Sequence, residues 1–286
     1  MSRITYVNGR YVPSREACVS VEDRGYQFAD GVYEVCEVFG GALIDEDRHL
    51  ERLRRSLAEL KIEEPVSKAA LRTILREIRA RNRLRNGYLY IQATRGVAHR
   101  DHPFPDPPTR ASLVVAAKSI PPEKGEAAAR AGVKVTSAPD LRWKRVDIKS
   151  IALLPNVLAR QAAKEKGAYE AWLIDDDGLV SEGAASNAWI VDARGVVVTR
   201  QLGHSILPGI TRTTLIELIA AEGLTFEERK FSLDEALAAR EAFITGATTL
   251  VMPVVDIDGK PIGDGRPGPV ALKLRGLFHD FAAHSN

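Results

Sequence analysis

Apolar and polar residues along this chain switch between two periods. Ile4–Val7 and Tyr11–Val12 flank Asn8-Gly9, and Asn-Gly between β-formers predicts a hairpin. Val32–Phe39 mixes Val and Cys with Glu and predicts a further strand ahead of Gly40-Gly41. The period then lengthens. Leu50, Leu53, Leu57 and Leu60 predict a helix over His49–Ile62, and Leu71, Ile74, Leu75 and Ile78 predict another, with Ser67 as its cap. Gly87–Thr94 and Ala111–Ala117 return to strand composition. Strands, then helices, then strands make an α+β pattern.

Lys118–Gly125 interrupts the pattern with two prolines and flanking charges and reads as a linker. Beyond it the predicted strands are Gly132–Ser137, Glu170–Ile174, Ala188–Val191, Val196–Thr199, Glu241–Thr245 and Leu250–Val255. The predicted helices are Ile151–Lys166, Thr211–Ala221, Leu233–Ala239 and Pro269–Ala283. No 20- to 50-residue period repeats, which excludes solenoids and propellers. The expectation is two α+β domains, a smaller one over 1–120 and a larger one over 121–286.

Composition narrows the function classes. Lys and Arg number 40 against 38 Asp and Glu, a net charge of +2 without a long basic run, which argues against a nucleic-acid surface. With 22 Gly and 15 Pro in 286 residues the chain is no low-complexity protein. Cys18 and Cys36 form neither a metal-ligand pattern nor a disulfide framework. No apolar run reaches membrane-spanning length and the first ten residues lack an apolar core, so a cytoplasmic protein without a membrane partner is expected.

Several stretches carry chemistry beyond packing. Leu207-Pro-Gly-Ile-Thr-Arg-Thr-Thr214 breaks the chain and then opens a helix, with Thr211 as the expected cap; exposed amides at such a start favour an anion, although a capped helix needs none. Ile244-Thr-Gly-Ala-Thr-Thr249 is a small-residue loop whose amides can approach the same kind of ligand. Lys149, ahead of a long helix, is either a solvated lysine or an imine-forming amine made reactive by burial. Glu182 ends a strand and is either a surface carboxylate or a buried one that holds a proton on a ring nitrogen. Arg100 and His102 lie in a polar loop after Gly87–Thr94, where an arginine is the natural bidentate partner of a carboxylate. His99 and His102 lack a third ligand, so no metal is expected.

Taken together, Glu182-Gly-Ala-Ala-Ser-Asn187, Thr199, Leu207-Pro-Gly-Ile-Thr-Arg212 and Glu22-Asp-Arg-Gly-Tyr-Gln-Phe-Ala-Asp-Gly-Val-Tyr-Glu34 resemble, in order and spacing, the signatures of the fold-type-IV pyridoxal 5′-phosphate enzymes. That group holds D-amino acid and branched-chain aminotransferases, R-selective amine transaminases and aminodeoxychorismate lyases. The resemblance implies a small N-terminal α/β sandwich and a larger, β-barrel-like C-terminal domain with helices. It implies Lys149 as the residue that binds the cofactor covalently and Glu182 as the partner of its ring nitrogen. Arg52, Ile210 and Thr211 match phosphate contacts, and Leu207 matches the residue packed on the ring face. Gly246 and Ala247 stand where relatives often carry hydroxyls, which leaves contact there to their amides or to Thr248; Trp189 stands where the family usually has Phe or Tyr.

Arg100-Asp-His102 resembles the Arg-x-His pair of D-amino acid aminotransferases, and Tyr33 matches their carboxylate-side tyrosine. The implied activity is ping-pong transamination between D-amino acids of the D-alanine or D-glutamate type and 2-oxo acids, in a homodimer whose Arg-x-His loop reaches the neighbouring subunit's site. The alternative is a branched-chain L-amino acid or R-amine transaminase of the same fold. Borohydride reduction with cofactor present, followed by peptide mapping, is expected to label Lys149, and Lys149→Ala to abolish both label and turnover; label on Lys144 instead overturns the assignment.

Overall fold

The structure, a computed structural model, describes residues 3–284, which form two compact units. Residues 3–121 together with Ile148–Ala152 make the first. Its sheet has six antiparallel strands, β1 (Ile4–Val7), β2 (Arg10–Pro13), β3 (Gly31–Phe39), β4 (Ala42–Leu43), β5 (Gly87–Thr94) and β6 (Ser112–Ser119), in the order β2-β1-β6-β5-β3-β4. The β1–β2 turn places Asn8 and Gly9 at φ +45° and +95°, the left-handed pair that a two-residue hairpin turn requires. Three helices accompany the sheet: α1 (Arg24–Phe28), α2 (Glu46–Glu59) and α3 (Lys68–Arg81).

Helix α3 begins as the pattern predicts, with the Ser67 hydroxyl accepting from the Ala70 amide. Helix α2 starts three residues before the predicted His49. Glu46 and Asp47 occupy its first turn, where the helix dipole favours acids and where Arg72 and Lys68 of α3 pair with them. The five-residue α1 escaped the periodicity because it is too short to show one; its cap is Asp23, which accepts from the Gly25 amide. Leu50, Leu53 and Leu57 of α2 and Leu71, Ile74, Leu75 and Ile78 of α3 bury against Val32, Leu89, Ile91 and Val115 of the sheet.

One charged group lies within that core. Alternation along β3 puts Val32, Glu34, Cys36 and Val38 on its buried face. Glu34 is fully buried and takes Arg52 of α2 bidentately, from Nε to Oε1 at 2.7 Å and from Nη2 to Oε2 at 2.8 Å, with His49 Nδ1 2.8 Å from Oε2. Burial alone would push this carboxyl up; Arg52 and the His49 hydrogen bond outweigh it and hold the group far below its ordinary value.

The second unit comprises Pro122–Asp147 and Leu153–His284. Its strands are β7 (Val133–Pro139), β8 (Glu170–Ile174), β9 (Val180–Gly183), β10 (Asn187–Val191), β11 (Val197–Thr199), β12 (Phe226–Glu228), β13 (Glu241–Gly246), β14 (Leu250–Ile257) and β15 (Lys260–Pro261). They form one mixed sheet in the order β12-β11-β10-β13-β14-β7-β8-β9, with β15 on β14. The sheet curls until its end strand β9 lies against β10. Helices α4 (Pro122–Ala131), α5 (Leu154–Glu165), α6 (Ile210–Ala221), α7 (Leu233–Leu237) and α8 (Pro269–His284) complete the unit. Strand β10 is buried throughout: Ala188 and Ile190 face one apolar cluster with Val135, Trp172 and Phe231, while Trp189 and Val191 face another with Leu215, Phe243 and Leu274. No described helix is long and apolar enough to cross a membrane.

The α+β architecture follows the expectation, with local differences. Of the predicted linker Lys118–Gly125, only Ile120 and Pro121 lie outside regular structure, because proline is tolerated at a helix start and Pro122 opens α4. Helix α5 begins at Leu154 rather than Ile151, whose amide bonds the Gly31 carbonyl at 3.1 Å beside β3. Strand β12, three residues parallel to β11, was too short to be read.

Glu34→Gln leaves Arg52 buried without a counter-charge and is expected to cost about 3–5 kcal/mol at pH 7, read from urea denaturation. A carboxyl held below its ordinary value of 4.5 contributes stability above that pH and loses it as pH falls toward the folded value. The gap between wild type and variant is therefore expected to narrow below about pH 4.5. A gap independent of pH overturns this account.

Candidate active site

In the first unit, residues 148–152 run beside β3. The Tyr33 amide donates to the Lys149 carbonyl at 2.9 Å, Val32 and Ser150 form an isolated antiparallel bridge, and the Lys149 amide donates to Ser56 Oγ at 3.3 Å. Ile148 is buried in the first unit's core, which fixes the backbone on which Lys149 rides. The Lys149 side chain is half-buried, with Nζ 4.3 Å from the centre of the Tyr33 ring, and Tyr33 lies 5.8 Å from the Tyr90 ring. Lys149 and Tyr33, 116 positions apart by number, are thus brought together. Arg52, which the family resemblance assigns to the phosphate, sits in the buried pair with Glu34 of the same strand as Tyr33.

Arg100 and His102 are exposed and make no hydrogen bond or ring contact with Tyr33 or Lys149 among the described residues. They share the half-buried Phe28 ring instead: Arg100 Cζ is 5.0 Å from its centre and the His102 ring 5.4 Å.

In the second unit, Glu182 is the third residue of β9 and its carboxylate is buried. Arg142 Nη1 donates to Oε1 at 2.5 Å, Asn187 Nδ2 to Oε2 at 2.8 Å, and the Leu207 amide to both oxygens at 3.2 Å. Arg142 is itself held by Asp140, through Nε to Oδ1 and Nη2 to Oδ2, each at 2.8 Å. Burial pushes the Glu182 carboxyl above its ordinary value, and Arg142 opposes the shift without cancelling it. Asn187 also donates to the Leu207 carbonyl at 3.1 Å, so one amide side chain ties the Glu182 turn to the approach of α6.

The residue before α6 is Gly209, and it offers no side-chain cap. Thr211, expected as the cap, lies instead one residue inside the helix and is buried, because the helix starts at Ile210. A Cβ on Gly209 would come 2.0 Å from Asn187 Oδ1, so close approach of the chain to Asn187 demands glycine there. The first-turn amides of Ile210 and Thr211 thus face outward from the helix end without a side-chain acceptor from the capping position. The β13–β14 turn holds Gly246 and Ala247 half-buried and Thr248 exposed. Trp189 anchors it, its indole Nε1 donating to the buried Thr245 hydroxyl at 2.9 Å while the ring stacks on Phe243 at 5.4 Å.

These arrangements define what each group can hold. An uncapped helix start with a glycine-backed approach suits an anion such as a phosphate. A buried carboxylate with a raised pKa suits a protonated ring nitrogen. A half-buried amine beside a tyrosine suits a carbonyl carbon. Sequence reasoning missed Arg142, Asn187 as a linking amide, and the Glu34–His49 support of Arg52. The Asp140-x-Arg142 spacing was a signal for the first, and a glutamate sharing a strand face with Val32 and Cys36 for the last.

A model of the amino-transferase class IV family matches residues 31–257, more than three quarters of the chain. The chain belongs to the class IV aminotransferases. This aminotransferase is 44% identical to the D-alanine aminotransferase of Bacillus licheniformis over 270 residues, 94% of this chain and 93% of that protein. It is 37% identical to the D-alanine aminotransferase of Staphylococcus haemolyticus over 96% of both chains. Its fold superposes on the T.th. branched-chain amino acid aminotransferase with pyridoxamine 5′-phosphate at a TM-score of 0.91 and 29% identity, covering all of this chain and 96% of that one.

Glu182→Gln in the aminotransferase keeps the hydrogen-bonding shape toward Arg142 and Asn187 in part but replaces the carboxylate by a neutral amide, which could not keep a ring nitrogen protonated. Single-turnover transamination is expected to slow roughly a hundredfold with cofactor still bound. Near-native single-turnover rates remove Glu182 from this role.

Proposed function

We propose that this class IV aminotransferase transfers amino groups between D-amino acids and 2-oxo acids, with pyridoxal 5′-phosphate as its cofactor. The observation that carries the substrate class is Arg100-Asp-His102 in the loop after β5, joined by identities of 37–44% to proteins named D-alanine aminotransferases. The donor set fits the cofactor: uncapped α6 amides for the phosphate, a buried raised carboxyl for the ring nitrogen, and an amine on a fixed backbone for the aldehyde carbon.

When bound, pyridoxal 5′-phosphate supplies an electron-accepting ring that takes up the negative charge left at the substrate Cα. Glu182, oriented by Arg142 and Asn187, holds the proton on the ring nitrogen. Lys149 would hold the cofactor through its amine and would move the proton at the substrate Cα as general base and acid. The Ile210 and Thr211 amides and the Gly246, Ala247 and Thr248 turn of the second unit would hold the phosphate; Arg52, aimed by Glu34, matches a further phosphate contact of the family. Leu207 packs on the ring face. Tyr33, Arg100 and His102 take the substrate carboxylate, and the side on which they bind it sets which Cα–H faces Lys149. One 2-oxo acid leaves before the next enters, giving ping-pong kinetics.

We read the working unit as a homodimer in which the Arg100–His102 loop serves the neighbouring subunit. Leu154, Val157 and Leu158 support this: at helical spacing on α5 they are 68%, 57% and 60% exposed, an apolar stripe that calls for a partner surface. The second reading, an L-branched-chain aminotransferase, is favoured by the TM-score of 0.91 to a protein named a branched-chain amino acid aminotransferase, at lower identity.

A panel of D-alanine, D-glutamate, L-leucine and R-1-phenylethylamine against 2-oxoglutarate and pyruvate separates the readings. Arg100→Ala removes a charge-assisted hydrogen bond worth roughly 1.5–3 kcal/mol, so kcat/KM for D-alanine is expected to fall about tenfold to more than a hundredfold. An amine without a carboxylate should change far less, and cofactor affinity hardly at all. Equal losses for D-alanine and R-1-phenylethylamine, or loss of cofactor, overturn the carboxylate role.

A further inference from the structure

Residues 98–111, which carry Arg100 and His102, run without helix or strand, and both side chains are exposed. An arginine on an unsupported loop sacrifices rotamer and backbone freedom when it docks a carboxylate, and that loss weakens binding. Selectivity through such a pair therefore demands something that orders it beforehand.

Two residues of α1 meet that demand. Arg24, which opens the helix, is buried. Its Nη1 donates to the Asp101 carbonyl at 2.6 Å and its Nη2 to the His102 carbonyl at 3.2 Å. Its Nε donates to Asp30 Oδ2 at 2.8 Å. Asp30 cannot swing away, because Arg95 grips it bidentately, from Nε to Oδ2 at 2.7 Å and from Nη2 to Oδ1 at 3.0 Å. Arg95 is in turn anchored on the Leu60 and Lys61 carbonyls. One turn further along α1, the Phe28 ring faces Arg24 at 4.8 Å, Arg100 at 5.0 Å and the His102 ring at 5.4 Å. A helix of five residues thus grips the pair twice, by its main chain through Arg24 and by its side chains through Phe28.

We propose that Arg24 and Phe28 are positioning residues for substrate-carboxylate recognition: Arg24 fixes the backbone of residues 101 and 102, and Phe28 holds the Arg100 and His102 side chains in the rotamers that receive the carboxylate. The inference rests on the reading of Arg100-Asp-His102 as the carboxylate pair. Neither residue touches the reacting atoms; both act on binding through the loop.

The test uses the holoenzyme in steady state with D-alanine and 2-oxoglutarate. Phe28→Leu keeps apolar volume but removes the ring face, and is expected to raise KM for D-alanine roughly two- to fivefold. Arg24→Met leaves Asp30 paired with Arg95 and releases two carbonyls, and is expected to raise KM roughly tenfold. In both, kcat stays within about twofold of wild type, because the interaction lost is one of binding. Phe28→Tyr keeps the ring and should restore wild-type KM. In an Arg100→Ala/His102→Ala background, Phe28→Leu should change nothing further, since the groups through which it acts are gone. An undiminished effect in that background, or a fall in kcat with KM unchanged, marks a merely structural role and overturns the proposal. If Arg24→Met does not fold, the Phe28 series decides alone. If Arg100→Ala raises KM but Phe28→Leu does not, only the positioning role falls. If Arg100→Ala leaves KM unchanged, the carboxylate reading falls and takes this inference with it.

Discussion

A full carboxylate inside an apolar core is the constraint on which the first unit is built. Glu34 lies on the same face of β3 as Val32 and Cys36, and its charge survives there only because Arg52 and His49 of α2 converge on both oxygens. The arrangement sets the helix against the strand with little freedom in register, since a slip of one residue would turn Glu34 to the other face and strand Arg52. Tyr33, next along the strand, is thereby presented from the opposite face, and the backbone of residues 148–152 bonds alongside with Lys149 over the Tyr33 ring. The same glutamate stabilises the core and aims the arginine that we assign to the phosphate.

The second unit solves a related problem with an amide. Glu182 is buried, its carboxyl is pushed upward, and Arg142 reaches only Oε1, leaving Oε2 without a side-chain donor. Asn187 supplies that bond and a second one to the Leu207 carbonyl, so the turn after β9 and the approach to α6 are tied at one side chain. Gly209 follows from this tie, because any side chain there would collide with Asn187. What looks in the sequence like a helix start punctuated by Pro208 and Gly209 is the consequence of packing the chain onto an asparagine. Thr211 consequently sits inside the helix, and the Ile210 and Thr211 amides, which Gly209 cannot cap with a side chain, are the ones left for an anion.

Substrate choice in this reading depends on a segment with no regular structure of its own. Loops of this kind are ordered by the scaffold that holds them, and here the scaffold is a short helix fixed by the Arg24–Asp30–Arg95 chain. Natural variation in substrate preference within such a fold need not touch the carboxylate pair itself; altering the ring or the guanidinium behind it would retune the loop while the cofactor machinery is unchanged.

Much of this was legible in the chain. Periodicity places α3 and its Ser67 cap, the Asn8-Gly9 turn, and β5 and β8 at the observed residues, because local hydrogen bonds and amphipathic faces decide them. The motifs around Lys149, Glu182 and Leu207–Arg212 mark the candidate site because their small and charged residues occur at spacings that packing alone does not require. Tertiary structure alone decided the partners. Nothing local says that Glu34 meets Arg52 and His49, that Arg142 turns onto Glu182, or that Trp189 anchors Thr245 through its indole N–H, since each pair is distant in sequence and each bond exists only because burial removes water as the competing partner. It decided likewise that α1, too short for a period to reveal, carries Arg24 and Phe28 to the loop after β5, because that contact is set by the β3–β5 register and not by any property of the five residues themselves.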